Sequence, residues 1–388
     1  MNKNINLQVP VGVRDVLPME TTAIRQLEQK LTDFFYSWGY QELMTPTFEF
    51  AETFKAGSPA GSDDVLFKFI DRQGRVLALR PEMTAPIARL VVTSLRREPL
   101  PLRLCYRANV FRYEEPHAGR QREFHQAGVE LIGADGVAAD VEIIALAVET
   151  LIKVGLKDFR LGLGQVAVTK GVLNDLELTP EDLAKIKEAL AKKDLVLLER
   201  LSEEYKLTGI RRKQLELLSR LHGGAEALRE AQECFSGTGA AKPLADLEQV
   251  WQALVAYGLE QWLFIDLGIL RDFDYYTGVV FEGYVSGLGA PVCGGGRYND
   301  LLAQFGYPCP ATGFAVGLER LLLALKGSLS KKQDKGYLVA GSDVAAVLKK
   351  AQEIRQSESV VVFDNQSKTR EEAAGQAEKR GLNLIWLE

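Results

Sequence analysis

FRYEEPHAGRQREFHQAGVELIG, residues 111–133, reads as two β-strands joined by a polar loop. Its polarity follows parity. Arg112, Glu114, Arg122, Gln126, Gly128 and Glu130 are even-numbered, whereas Ala127, Val129 and Leu131 fall between them. Successive strand side chains point to opposite faces, so one face is apolar and the other collects guanidinium, amide and carboxylate groups. Gly128, within the polar face, leaves room for a ligand to approach the backbone. Parity alone favours a half-exposed hairpin with a solvated face.

Outward from this pair, residues 20–38 place Ile24, Leu27, Leu31, Phe34, Phe35 and Trp38 at helical spacing, with Gly39 where a C-terminal cap belongs. YQELMTP predicts a strand stopped by Pro46. Residues 66–79 predict two short strands around DRQGR, and RPEMTAPIARLVVTSL a loop running into a helix. Strands dominate 104–133, and a helix covers about 138–154. Residues 170–236 turn charged and helical, beginning a helix at Thr179-Pro180-Glu181-Asp182 and breaking a later one at Gly223-Gly224. This segment is read as a helical insertion into a main domain spanning 1–169 and 237–326. A helix at 244–257, strands near 262–285 and a strand and helix at 311–326 complete that domain. After the linker KGSLSKKQDKG, residues 336–388 alternate strand, helix, strand, helix, strand, the order of a small parallel α/β unit.

With 388 residues the chain exceeds one ordinary core, and 46% hydrophobic with 26% charged residues is the composition of a soluble globular protein. The N-terminus lacks a secretory apolar segment and no run is long enough to span a bilayer, so a cytoplasmic location without membrane attachment is expected. A net charge of −5 gives no general attraction for nucleic acid. Cys105, Cys234, Cys293 and Cys309 form no C-x-x-C pair, and His117, His125 and His222 are scattered. Neither set suggests a disulfide framework or a metal site.

Four further segments carry functional residue types. Arg80-Pro81-Glu82-Met83-Thr84 sets a carboxylate and a hydroxyl two residues apart, suited to an ammonium group or to capping a helix. LRDFDYYTGVVFEGY (270–284) puts Arg271, Asp274, Tyr275 and Tyr276 at a strand entrance, where adjacent tyrosines would face opposite ways and one would be core. CGGGRY (293–298) is too glycine-rich for a regular strand interior. It predicts the close approach of a ligand or backbone, or a sharp bend, and fits neither G-x-G-x-x-G nor G-x-x-x-x-G-K-[ST]. GFAVGLERLLLAL (313–325) is a strand entering a helix, with Arg320 placed either to hold a phosphate or on the helix surface.

In their order, these segments resemble the catalytic core of the histidine-specific class II aminoacyl-tRNA synthetases. The resemblance runs from PVGVRDVLP (10–18) through GYQELMTPTFE, RPEMTA, FRYE…GRQREFHQAGVELIG and RDFDYYTGVVFE to CGGGRY and GFAVGLER. It implies an α+β fold: an antiparallel sheet of six or more strands flanked by helices, with a helical insertion and a dimer formed around Pro46. It further implies that Glu82, Thr84, Gln126, Glu130, Tyr275 and Tyr276 line a histidine pocket. Arg271 would stand at the carboxylate, and Arg112 and Arg320 would hold phosphates. Carboxylates suit ammonium and imidazole groups, and guanidinium groups suit carboxylate and phosphate.

The chain departs from that pattern at Glu115, which stands where the synthetases carry an arginine, at Met83 for a glycine, and at Asp272-Phe273 for Gly-Leu. Reversing a charge about 4 Å from a phosphate, at an effective dielectric of about 20, changes the interaction by roughly 4 kcal/mol per sign change before screening. The C-terminal unit matches only about the first half of the anticodon-binding domain, and its charges nearly balance. With RPEMTAP, FRYEEP and RDFDYYTGVVFEGY, the chain is similar to the regulatory-subunit family of ATP phosphoribosyltransferase. That family implies no aminoacylation, catalytic residues, metal or cofactor. Its implied partner is a short-form ATP phosphoribosyltransferase catalytic subunit in a hetero-octamer, with histidine as effector and a role in histidine biosynthesis. The competing readings are a truncated but active histidyl-tRNA synthetase and an amino-acid ligase with a non-tRNA acceptor.

Overall fold

The structure, a computed structural model, describes residues 7–55, 62–114, 121–269, 275–325, 336–357, 360–364 and 366–388. The chain forms two compact units, Met1–Lys326 and Gly327–Glu388. No helix among the described residues is long and apolar enough to cross a membrane.

In chain order the first unit contains β1 (Gln41–Glu42), β2 (Phe48–Phe50), β3 (Lys68–Ile70), β4 (Val76–Leu79), β5 (Leu102–Phe111) and β6 (Glu123–Ile132). Then follow β7 (Phe159–Gln165), β8 (His222–Gly223), β9 (Leu263–Asp266), β10 (Val279–Val285), β11 (Cys293–Arg297) and β12 (Ala311–Gly317). Among the described residues, nine of these make one sheet in the order β1-β5-β6-β12-β11-β10-β7-β9-β8. Most pairs are antiparallel; β1–β5 and β7–β9 are parallel. β2, β4 and β3 make a separate antiparallel sheet. The predicted YQELMTP strand shrinks to the two residues of β1.

The parity of the opening stretch becomes two differently covered faces. β5 and β6 pair from Leu102↔Ile132 to Phe111↔Glu123. Ala127, Val129 and Leu131 are fully buried. On their side of the sheet Phe314 of β12 meets Phe35 edge-on, 6.1 Å between ring centres. Phe35 belongs to the predicted amphipathic helix, which runs Pro18–Ser37 and buries Ile24, Leu27, Leu31 and Phe35. Gly39 closes it at φ +82°, a conformation that favours glycine, with its N–H donating to Tyr36 O. On the other face Leu104, Tyr106 and Ala108 of β5 cluster with Met83, Ile87, Ala88 and Val91 around the Thr84–Leu90 helix.

CGGGR is a regular strand, which corrects the expectation that it is too glycine-rich for a strand interior. Two close backbone neighbours explain its composition. A Cβ on Gly295 would overlap Gly313 O, and one on Gly296 would lie 2.6 Å from Val279 O. Bare backbone lets β10, β11 and β12 nest here. Arg297, at its end, is buried and bonds Asp140 of the Val137–Val154 helix at 2.8 Å, tying that helix to the sheet.

Residues 166–235 form the helices Val166–Asn174, Pro180–Ala191, Leu195–Glu204, Gly209–Arg220 and Ala225–Phe235. Thr179 caps the second, accepting from Asp182 N, and the chain turns at Gly223-Gly224 before the last. The second unit has three parallel strands, β13 (Tyr337–Gly341), β14 (Val361–Phe363) and β15 (Asn383–Leu387), ordered β14-β13-β15. The Val344–Arg355 and Arg370–Arg380 helices connect them; Val347 and Ala351 pack with Val339, and Ala373 and Ala377 with Leu338 and Ala340.

Candidate functional site

On the polar face of β6, Gln126 and Glu130 stand beside small residues of β12. Gly313 pairs with Glu130, Ala315 with Gly128 and Gly317 with Gln126. A Cβ on Gly313 would overlap Glu130 Oε2, so glycine there is what gives the carboxyl its place. Gly294, paired with Ala315, extends this floor of small residues. Over it lies a cleft with a cavity of about 40 Å3, lined by Glu82, Met83, Thr84, Tyr106, Arg112, Gln126, Glu130, Tyr275, Tyr276 and Tyr298. That is room for a few waters.

Of the residues expected to line the histidine pocket, Glu82, Thr84, Gln126, Glu130, Tyr275 and Tyr276 share this cleft, as does Arg112. Arg320 is not among its lining residues; from the Leu318–Ala324 helix it donates from Nη1 to Pro291 O at 2.8 Å. Arg271, Asp272, Phe273, Asp274 and Glu115 lie outside the described residues.

Each group is held in a different way. Glu82 is buried and caps the Thr84–Leu90 helix, accepting from Thr84 N and, at 3.0 Å, from Ala85 N. Burial raises its pKa, and those two N–H groups and the Arg112 charge oppose the rise. Of the two sequence readings of RPEMT the capping one is seen here, and Glu82 also lines the cleft. Thr84 Oγ donates to Glu130 Oε1 at 2.9 Å, and Tyr298 Oη donates to Glu130 Oε2. Burial pushes the Glu130 carboxyl up to about 8, against the lowering effect of the two hydroxyls. Arg112 donates from Nε to Pro81 O at 2.9 Å, and its guanidinium lies over the Phe124 ring.

The structure corrects three local expectations. Tyr275 and Tyr276 precede β10 and lie outside any strand, so alternation does not separate them. Both line the cleft, with ring centres 4.9 Å apart. The space above Gly128 is taken by Tyr106, whose hydroxyl would sit 2.5 Å from an added Cβ, so the glycine makes room for a tyrosine. Arg122 precedes β6 and leaves the polar row: it bonds Glu114 O and Val11 O and covers the Tyr113 ring.

Sequence reasoning assigned no site role to Tyr106 or Tyr298, yet both border Glu130 or its neighbour. Tyr106 is even-numbered on β5 and faces Gly128, a cross-strand match of large against small. Tyr298 is the residue after CGGGR, and its ring meets Tyr275 edge-on at 5.7 Å. Met83, expected to fill a glycine's space, is almost wholly buried, with Thr45 Oγ 3.9 Å from its sulfur.

Comparison with known proteins gives this geometry a context. The family described as histidyl-tRNA synthetase matches residues 12–321. A protein of Moorella thermoacetica named ATP phosphoribosyltransferase regulatory subunit is 70% identical over 387 residues, covering 100% of each chain. A Bacillus halodurans crystal structure, titled as an ATP phosphoribosyltransferase regulatory subunit/histidyl-tRNA synthetase, superposes with a TM-score of 0.88 at 32% identity. It covers 100% of this chain and 99% of its own. Histidyl-tRNA synthetase from Nostoc shares the fold, with a TM-score of 0.80 at 22% identity over 97% of this chain and 90% of its own.

Proposed function

The chain belongs to the ATP phosphoribosyltransferase regulatory subunit family, built on the histidyl-tRNA synthetase fold, and from that premise we propose that it binds a short-form catalytic subunit and makes it responsive to histidine. In this reading the chain performs no aminoacylation and acts in the cytoplasm, at the first step of histidine biosynthesis. Full-length 70% identity to a protein of that name carries the reading. The cleft supports its histidine part. Glu130 and Gln126 suit imidazole and ammonium groups, Thr84 adds a hydroxyl, and Tyr275 and Tyr276 enclose a planar ring. Arg271 is proposed at the ligand's carboxylate, and Arg112 and Arg320 are read as phosphate positions inherited from the synthetases.

Self-association is proposed around Pro46. Met44, Phe48, Phe50, Phe69, Ile70 and Val76 are all exposed, Met44 to 84% and Ile70 to 71%. Exposed apolar side chains near one another in the chain support self-association there. Residues 170–236 are proposed as an insertion and 336–388 as the counterpart of part of an anticodon-binding domain.

The alternative, an active synthetase, draws support from the retained Arg112, Arg271 and Arg320. Two assays test the proposal against it. Mixing with a short-form catalytic subunit should give one co-migrating hetero-octamer by light scattering, and separate species would overturn the proposal. Histidine-dependent exchange of pyrophosphate into ATP should stay at background; robust exchange would favour the synthetase.

A further inference from the structure

The reverse face of β5 and β6 carries a second cavity. There the odd-numbered side chains Asn109, Glu123 and His125 point away from Gln126 and Glu130, with Asn109 directly across from His125. Nearer the Ile132 end this face is sealed by apolar packing, with Val129 and Leu131 fully buried and Phe35 against Phe314. The Pro18–Ser37 helix contributes Leu27, Leu31 and Phe35 to the core, but its first turns border the cavity with Thr21, Ile24 and Arg25. With Arg14 of the N-terminal segment and Glu319 of the Leu318–Ala324 helix, these residues enclose about 250 Å3, against about 40 Å3 in the cleft. Pockets for drug-sized ligands start at about 300 Å3, so this one suits a smaller molecule.

Its charges come from different walls. The sheet and the Leu318–Ala324 helix supply the carboxylates of Glu123 and Glu319, while the N-terminal segment and the Pro18–Ser37 helix supply the guanidinium groups of Arg14 and Arg25. Several of the lining groups keep bonding capacity in hand. Glu123 accepts from Asn109 Nδ2 at 2.8 Å through Oε1, which leaves Glu123 Oε2 and Asn109 Oδ1 without a hydrogen-bond partner among the described residues. Arg25 holds Glu28 through Nη1 alone, at 2.6 Å. His125 engages Glu319 Oε1 through Nδ1 at 2.8 Å, so Nε2 of a ring only 15% exposed is left for a ligand.

We propose that this cavity binds a free amino acid as its zwitterion, with the ammonium group at Glu123 Oε2 and Asn109 Oδ1 and the carboxylate at the remaining N–H groups of Arg25. Charge selects for such a molecule in both directions. A simple anion drawn to the arginines also meets Glu123 and Glu319, and a simple cation drawn to the carboxylates also meets Arg14 and Arg25. A small molecule carrying both charges turns each of those repulsions into a charge-assisted hydrogen bond. The proposal is independent of the histidine reading of the cleft, which lies on the opposite face of the same two strands.

Ligand-observed NMR on the full chain, with each of the protein amino acids in turn, tests it. At least one should bind with an affinity that Glu123→Gln and Arg25→Gln each weaken about tenfold or more, the loss of one charge-assisted bond. Gln126→Ala, in the cleft, should leave that affinity unchanged. The N-acetyl and carboxamide derivatives of the same amino acid each lack one charge and should bind about tenfold more weakly as well. Glu123→Gln can still accept from Asn109 and the Arg25 side chain is 67% exposed, so both variants should keep the natural unfolding midpoint. Four results would overturn the proposal: no amino acid bound, affinity untouched by both variants, affinity lost only with Gln126→Ala, or equal binding of the N-acetyl derivative.

Discussion

Thr84 and Glu130, 46 residues apart in the chain, meet through a 2.9 Å hydrogen bond that joins the start of the Thr84–Leu90 helix to the sheet. The bond gives a buried carboxyl one of its two hydroxyl partners. Thr84→Val keeps the shape and removes the donor. The variant should lose about 1 kcal/mol of stability in urea unfolding at pH 7, the usual net value of such a bond. An unchanged midpoint would mean that the two groups do not meet.

Arg297 and Asp140 form a second long-range contact, with side chains 7% and 10% exposed. Truncating one partner of a buried pair strands the other. Arg297→Met should therefore cost about 3–5 kcal/mol. Arg297→Met combined with Asp140→Leu should recover much of that loss, since both buried charges go and the remaining partner, Asp135, is 66% exposed. Additive losses in a double-mutant cycle of denaturant midpoints would argue that the pair is not coupled.

His125 Nδ1 lies 2.8 Å from Glu319 Oε1, linking β6 to the Leu318–Ala324 helix. The Glu319 hydrogen bond raises the His125 pKa above 6.5, outweighing desolvation. A group whose folded pKa is raised contributes stability that is complete below its unfolded value. That contribution is lost as pH rises through the folded value. The stability gap between the natural chain and His125→Asn should be widest below about pH 6.5 and shrink as pH climbs past the raised value. Unfolding free energies measured from pH 5.5 to 8.5 check this, and a gap that widened with pH would contradict it.

Gly313→Ala tests the seating of Glu130 from the opposite side, because the new methyl overlaps Glu130 Oε2. The variant should stay folded, at a cost of about 1–3 kcal/mol for overpacking. Calorimetry should show its histidine affinity reduced at least tenfold, since the carboxyl is pushed off its position. Undiminished affinity would place the ligand elsewhere.

Much of this site was legible because a strand repeats every two residues. That period alone put Gln126 and Glu130 on one face and Ala127, Val129 and Leu131 on the other. The parity rule failed where the strand ended: Arg122 precedes β6 and turns to Gly12 and Val11. Contacts between strands distant in sequence were not legible either. Tyr106 above Gly128 and the nesting of Gly295 against Gly313 depend on which strands become neighbours, which no local period specifies. Tyr275 and Tyr276 were misread for a related reason. The alternation applied to them starts only at Val279, and outside the strand both reach the cleft.

Regulation of a partner is measured most directly as the rate of phosphoribosyl transfer to ATP by a short-form catalytic subunit. The rate should be recorded alone, with this chain added, and with histidine added to the mixture. This chain should raise the rate at least tenfold, and histidine should then suppress it. Glu130→Ala should keep the activation while blunting the suppression. A rate unchanged by addition of the chain would contradict the account.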